Sequence, residues 1–548
     1  MILATLRRSL LQKAQAWSKT SGLPLPENLP ISPAPPHVKD ADIALPWAMA
    51  LAKAAKRPPL EIAKELAAAF AAIPELESAT ALPPGFVNLK LKTSALAANA
   101  KAVTLAPESY GRDEGGPKTK ILIEFVSANP TGPLHLASGR GATLGDALVK
   151  ILNRLGREAK AEFYVNDGGA RALLLGESIK ARFEGGQPPE KGYQGEYLVE
   201  MAKLAPVEAK SWTALQWGQW AMDYLMAQHK EDMDQFGVKF DRWYRESELF
   251  ASGAVEKTLT LLRGRGMVYD KENAVWLGTS GSSDSDDDKD RVLVKSDGKP
   301  TYFLPDIAYH KDKYDRGFQF LIDIWGADHH GYVPRMKAAI AALGKDSDKD
   351  FHAIVHQLIH LYRGTEAVKM SKRAGEFVRL KEVVDEVGRD ACRFFFALRT
   401  PDSHLNFDLE LAKKQSSENP VYYCQYVHAR VCSIFREAVK QGVLSSETEA
   451  LPIPNGKMLE EPEARAILVK IAWFPEALKT VERELSPHPL GNYILELAGL
   501  FHPFYEKCRV VDAANPELSK QRLLLCAGVR DAIAQGLALL GVGAPQQM

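Results

Sequence analysis

Apolar positions recur along the chain at two different periods, and the changes between them divide it. Leu3, Leu6, Leu10 and Leu11 fall on one side of an opening helix, because side chains three and four apart share a helix face. A Pro-rich stretch, 23–36, interrupts the pattern. An Ala-rich pair of helices follows at 45–55 and 60–72, and then a strand at 85–91. Ile121 to Phe125 is a short apolar run of the buried-strand kind, stopped by the turn dipeptides Asn129-Pro130 and Thr131-Gly132. Leu144, Ala147, Leu148, Ile151 and Leu155 then return at helical spacing. Ala161 to Val165 reads as a second strand ending in the turn Asn166-Asp167-Gly168-Gly169, and residues 191–240 read as helical. Residues 291–294 and 301–304 read as a hairpin about Asp297-Gly298, and 320–324 as another buried strand. From about 405 the period is helical to the end, over 409–416, 421–440, 463–484, 490–505 and 522–540.

A strand, a Pro/Gly turn and a helix make the start of a nucleotide-binding βα unit. The helix N-terminus offers free backbone N–H groups and a positive dipole end to phosphates. The fold class is therefore α/β in the middle, with an α+β module before it and an all-α bundle after it. The boundaries fall at 1–105 for the first module, 106–118 for a polar, Gly/Pro-punctuated linker, 119–401 for the α/β domain with insertions, and 402–548 for the bundle. Lys+Arg and Asp+Glu both number 69, which excludes a generally basic coat but leaves room for a local basic face. The five cysteines contain no CxxC pair, which disfavours a disulfide framework or zinc knuckle and fits a reducing cytoplasm. No apolar run is long enough to span a membrane.

His135 stands at the start of the first α/β helix, where an imidazole can donate to a phosphoryl oxygen. Far downstream, Lys369, Lys372 and Arg373 put three cations within five residues, beside Met370 and Ser371 and ahead of Ala374-Gly375. That composition suits a loop closing over an anion. The acidic stretch 281–290, GSSDSDDDKD, lacks the central Gly and closing Glu of an EF-hand and reads as an exposed insertion. Asp328-His329-His330 after the 320–324 strand suits nucleotide binding at the strand's carboxyl end better than a metal. His352, His356 and His360 read as structural histidines on a strand or its flank. Tyr422, Tyr423, Tyr426 and Arg430 sit on neighbouring helical turns, an arrangement for stacking on bases that a bundle core also explains.

PLHLASGRG resembles the HIGH signature of class I aminoacyl-tRNA synthetases, and KMSKR matches their second signature, roughly 230 residues on. SANPTGPLH, FYVNDGGAR, TYFLPDIAYHKDK, GADHHGY, VKMSKRAGEFV, GRDACRFFF and NPVYYCQYVHAR occur in the order seen in arginyl-tRNA synthetases. The resemblance implies a Rossmann-like catalytic domain, an N-terminal module that reads the tRNA elbow and a helical anticodon-binding domain. It implies activation of L-arginine with ATP and Mg²⁺, and transfer to the 3′-terminal adenosine of tRNA(Arg), by a cytoplasmic monomer without a dedicated protein metal cage. By the same resemblance His135, Lys369 and Lys372 are catalytic, and His135, Ser138, Gly139, Asp328, His329, Lys369, Met370, Ser371 and Lys372 meet ATP. Glu124, Asn129, His135, Tyr302 and Asp306 form the arginine site, with Asp306 the guanidinium partner, and Tyr422, Tyr426 and Arg430 meet tRNA. The first signature departs in its second half: Ser138 stands where it has its second His, and Ala137 where it has its Gly. It leaves an alternative, a catalytically impaired synthetase-like protein that binds or regulates RNA.

Overall fold

The computed structural model describes the whole chain except residues 26–28, 36, 39, 114, 279–288, 369–377 and 453. Most of the acidic insertion and the KMSKR stretch therefore lie outside the described residues.

The centre is a five-stranded sheet, here β1 (Lys120–Glu124), β2 (Glu158–Val165), β3 (Arg242–Arg245), β4 (Phe320–Gly326) and β5 (Phe351–His356). Its order is β5-β4-β1-β2-β3 and every pairing is parallel. The order reverses at β1, so the sheet is doubly wound, and the crevice at the carboxyl ends of β1 and β4 is where such sheets hold ligands. This is the α/β class expected from the apolar runs. Helix α1 (Leu136–Arg154) follows β1 and lies on the sheet so closely that a Cβ at Gly145 would stand 2.2 Å from the Phe125 ring.

The register explains why a second helix, α2 (Phe303–Asp315), lies where it does. Asp323 on β4, Glu124 on β1 and Glu162 on β2 are directly paired across three adjacent strands. Like charges side by side destabilise a sheet unless they are neutralised. Helix α2 and the residue just past it bring the cations: Lys313 Nζ donates to Glu124 at 2.6 Å and Asp323 at 2.9 Å, and Arg316 grips Glu162 with two bonds of 2.7 and 2.8 Å. His310 Nε2 lies 2.8 Å from Asp323 Oδ2. Burial alone would raise the Asp323 carboxyl; the Lys313 ammonium and His310 outweigh it and hold it below the ordinary carboxylate range. Asp306, His310 and Lys313 share one face of α2, so docking Lys313 on the carboxylate row aims Asp306 at the crevice.

The first module holds the helix Ile2–Ser21, the helices Trp47–Ala55 and Pro59–Phe70, and an antiparallel sheet of Ser32–Pro33, Ile43–Leu45, Phe86–Leu91 and Leu76–Leu82. Leu3, Leu6 and Leu10 are buried, as their spacing predicts. The module is not held apart by a spacer. Tyr110, inside the stretch read as a linker, is buried, stacks on Phe474 at 5.6 Å and donates its hydroxyl to the Ile471 carbonyl at 3.0 Å. One continuous core runs from Leu3 through α1 to Val542.

Three other expectations need correcting. The strand Arg291–Val294 pairs with Ala274–Leu277, and the 301–304 stretch does not return as a strand. Thr301 N bonds Leu293 O at 2.8 Å, but helix α2 begins at Phe303. Pro305 has no N–H for a ladder and suits a helix's first turn, and Phe303, Leu304, Ile307 and Ala308 bury at helical spacing. The 191–240 stretch splits into Tyr197–Lys203 and Ala214–Gln235, and 463–484 breaks at Trp473 into Pro462–Ala472 and Phe474–Glu484. Pro475, second in the latter helix, cannot continue the former's hydrogen bonding. Among the described residues, no helix is long and apolar enough to cross a membrane.

Candidate active site

Beyond Glu124 the chain turns sharply. Val126 and Ser127 take φ of 68° and 40°, a left-handed conformation that side-chain-bearing residues rarely adopt. Strain of this kind costs about 1–3 kcal/mol per residue and persists only where the surroundings enforce it. Here Ser127 Oγ donates to Glu124 Oε1 at 2.8 Å and accepts from Tyr164 N at 3.1 Å, locking the turn to β2. The next turn is held from outside the sheet. Tyr197 Oη donates to the Thr131 carbonyl at 2.5 Å, and His229 Nε2 lies 2.7 Å from the Gly132 carbonyl. Burial pushes His229 down to about 4, so the ring is neutral and Nε2–H is the donor. These contacts deliver His135 to the N-cap of α1, exposed, with its pKa lowered by partial burial.

A cleft of about 510 Å³ opens beside this turn. Its lining includes Glu124, Asn129, Ser138, Tyr302, Asp306 and His329, six of the residues singled out from the sequence. Asp306 Oδ2 accepts from the Tyr332 hydroxyl at 2.6 Å. Tyr302, 76% exposed, stands at the N-cap of α2. Sequence reasoning missed Glu246, which accepts from the Tyr164 hydroxyl at 3.1 Å and lines the cleft with Tyr164, Tyr332 and Arg171. Burial raises the Glu246 carboxyl, and Asp167 and Asp306 add to this, while Tyr164 and Arg171 oppose it. Glu124 is committed to Lys313 and Ser127, so Asp306 and Glu246 are the carboxylates the cleft offers to a visiting cation.

The other candidates divide. Gly139 is outside the cleft lining and is closely packed: a Cβ there would meet Leu380 at 2.5 Å. Asp328, on the turn Ala327–Tyr332 after β4, is exposed and lies outside the cleft lining. Lys369, Met370, Ser371 and Lys372 fall outside the described residues, but both flanks of their stretch are fixed. Val368 N bonds Leu361 O at 2.9 Å, while Leu136 N bonds Val378 O at 3.0 Å and Leu380 N bonds Leu134 O at 2.9 Å. Val378 and Leu380, on the far flank of that stretch, thus lie against the start of α1. Among the described residues no group of three or more His, Cys, Asp or Glu is placed to hold a metal.

On the helix Pro420–Lys440, Tyr422 and Tyr426 stack at 6.5 Å and His502 extends the row at 6.3 Å from Tyr426. Arg430 donates to the Tyr505 hydroxyl at 2.7 Å. The row lies far along the chain from the cleft, on the bundle.

A doubly wound parallel sheet, with the helix that carries the first signature at the crevice beyond its central strand, has the architecture of a class I aminoacyl-tRNA synthetase catalytic domain. Residues 196–400 match the family described as tRNA synthetases class I (R), catalytic domain; residues 5–91 match the arginyl tRNA synthetase N terminal domain, and 424–548 the DALR anticodon binding domain. The chain belongs to the arginyl-tRNA synthetase family. It is 52% identical to the arginine–tRNA ligase of Elusimicrobium minutum over 518 residues, 94% of this chain and 95% of that one. It is 43% identical to that of Syntrophotalea carbinolica over 532 residues, 94% of each. The Thermus thermophilus arginyl-tRNA synthetase structure shares the fold, with a TM-score of 0.77, 23% identity and full coverage of both chains.

Proposed function

We propose that the cleft joins L-arginine to ATP and then passes the arginyl group to tRNA(Arg). Membership of the family makes the chain an ATP-using arginine–tRNA ligase; what is proposed is how its own residues do this. The observation that supports the reading most is the pair of carboxylates, Asp306 and Glu246, braced by the Tyr332 and Tyr164 hydroxyls beside the N-terminus of α1. Guanidinium is a planar, five-donor cation and matches such acceptors. Tyr302 covers the guanidinium end, Asn129 holds the α-amino and carboxylate end, and Glu124 sets the local field through Lys313.

A carboxylate oxygen of arginine attacks the α-phosphorus of ATP, an oxygen–phosphorus bond forms, and the bond to pyrophosphate breaks. His135 and the α1 N-terminus stabilise the charge growing on the α-phosphate, with Ser138, Asp328 and His329 at the nucleotide and Lys369, Met370, Ser371 and Lys372 closing over the departing pyrophosphate. The 2′-hydroxyl of the terminal adenosine then attacks the arginyl carbonyl and AMP leaves. Positioning and charge do this work, without covalent catalysis. Mg²⁺ bound with ATP would supply charge neutralisation on the phosphates.

Tyr422, Tyr426 and Arg430, with His502 and Tyr505, offer unpaired bases a stacking row. Residues 1–105 serve as the elbow-reading module, 119–401 as the catalytic domain and 402–548 as the anticodon domain. The chain is read as a monomer, and its five buried free thiols suit a reducing compartment such as the cytoplasm. The test is discrimination between arginine and citrulline, its uncharged isostere, in tRNA-charging assays. A cleft built on Asp306 and Glu246 rejects citrulline by about 10⁴-fold or more, because the carboxylates would be left unpaired. Discrimination under about a hundredfold contradicts the assignment.

A further inference from the structure

The cleft is unevenly charged. One wall, from β1, the middle of β4, α2 and the residue after β3, carries Glu124, Asp323, Asp306 and Glu246, with Arg171 beside them. The opposite end, formed by α1 and the tips of β4 and β5, is lined by Ala137, Ser138, Gly141, Gly326, His329 and His356, with no carboxylate among them. A triphosphate is repelled by the first wall and accepted at the second.

His356, the last residue of β5, is 7% exposed and lines that second end. Its ring lies against α1: a Cβ built on Gly141 would stand 3.4 Å from His356 Nε2 and 3.8 Å from Cδ2. Ser138 is three residues earlier on the same face of α1. The imidazole therefore occupies a corner that two small residues of α1 leave open. Burial, then the Arg140 cation beside it, push the ring down to about 4, so it is a neutral hydrogen-bonding group throughout the working pH range. Its Nδ1 is 3.5 Å from the Gln357 carbonyl, a long contact that commits the ring weakly.

We propose that His356 contacts bound ATP, supplying from β5 the imidazole that Ser138 does not bring on α1. The inference rests on the reading of this end of the cleft as the ATP site. It also removes the reason for treating Ser138 as the mark of a lost activity: the group is relocated to the neighbouring strand.

ATP–pyrophosphate exchange with saturating arginine and tRNA(Arg) tests it, on His356→Val, His356→Asn, the double variant His356→Val with Ser138→His, and His135→Ala. His356→Val raises the KM for ATP about tenfold, the worth of one good hydrogen bond in a desolvated site, and leaves the KM for arginine within about twofold. His356→Asn, which keeps a donor and an acceptor, falls between His356→Val and the native enzyme. Ser138→His in the valine background returns the KM for ATP to within about threefold of native, a rescue that a purely structural histidine does not give. An unchanged KM for ATP in folded His356→Val overturns the inference, and so does a double variant no better than His356→Val. If His135→Ala loses exchange while His356→Val keeps it, only the role of His356 fails. If both keep native rates, the ATP reading of the cleft fails with it.

Discussion

Asp306→Asn keeps the shape of the side chain and an oxygen for the Tyr332 hydroxyl, now 2.6 Å away, but removes the charge that faces the guanidinium. Breaking one side of a desolvated charge pair costs about 2–5 kcal/mol. The Asp306 side chain is 31% exposed, so water screens part of the pairing. The lower part of the range, about 2–3 kcal/mol, therefore applies. At 1.4 kcal/mol for each factor of ten, that is roughly a 30–150-fold rise in the KM for arginine. Glu246 remains, so binding is weakened and not abolished. The KM for ATP stays within about twofold, because nothing at the α1 end of the cleft has changed. The assay is tRNA charging with each substrate varied in turn, on protein whose thermal unfolding matches the native chain. A rise under about threefold, or an equal rise for both substrates, refutes Asp306 as the guanidinium partner.

Glu246 gives a pH test. Its carboxyl is raised by burial and neighbouring carboxylates, and a bound cation stabilises the ionised form, so arginine binding releases a proton wherever free Glu246 is protonated. The KM for arginine is therefore flat above the raised pKa and climbs as pH falls through it. That limb lies above the ordinary glutamate value of about 4.3, and Glu246→Gln removes it; an unchanged limb in the variant contradicts the assignment. Arg393 is fully buried, paired with Asp146 and donating to the Leu540 carbonyl at 2.9 Å. Arg393→Met leaves Asp146 with Lys150 alone and lowers unfolding free energy by about 3–5 kcal/mol in denaturant titration; a loss under about 1 kcal/mol shows that the pair is dispensable. Tyr426→Ala removes the middle of the Tyr422–Tyr426–His502 row. It raises the KM for tRNA(Arg) about 5–150-fold, one stacked base, with arginine and ATP constants unchanged at saturating tRNA; no effect on the tRNA constant removes the row from recognition.

How far the fold could be read from the sequence depended on how local each signal was. β1, its turn and α1 were legible because a buried strand, turn residues and a helical stripe follow within a few dozen positions. The sheet order was not, since β4 reaches β1 only after a long intervening stretch of chain. Thr301 to Leu304 misread as a strand because local β-propensity favours it, whereas Pro305 and the burial of Ile307 and Ala308 decide for a helix. Asp306 was found through a neighbouring recognisable segment. Glu246 was missed because it is one acid among several in a short helix start, and only the Tyr164 hydroxyl and the cleft single it out. The Asp306, His310, Lys313 spacing was a usable signal: it puts three polar groups on one helix face beside buried Ile307 and Ala308, and the carboxylates of β1 and β4 partner two of them, His310 and Lys313. His356 read correctly as a strand residue; its place in the cleft depends on Gly141, two hundred residues away in the chain and adjacent in space.

The measurement that bears most directly on the central claim is arginine-dependent ATP–pyrophosphate exchange, run with and without cognate tRNA. The account predicts exchange that requires arginine, with citrulline inert, and a rate that falls when Lys369 or Lys372 is replaced by Ala. Dependence on tRNA would show that RNA binding completes the site, and exchange without it would show that the cleft is complete alone. No exchange under either condition, from folded protein that still binds tRNA(Arg), would contradict the account and make the chain an RNA-binding protein that has lost its chemistry.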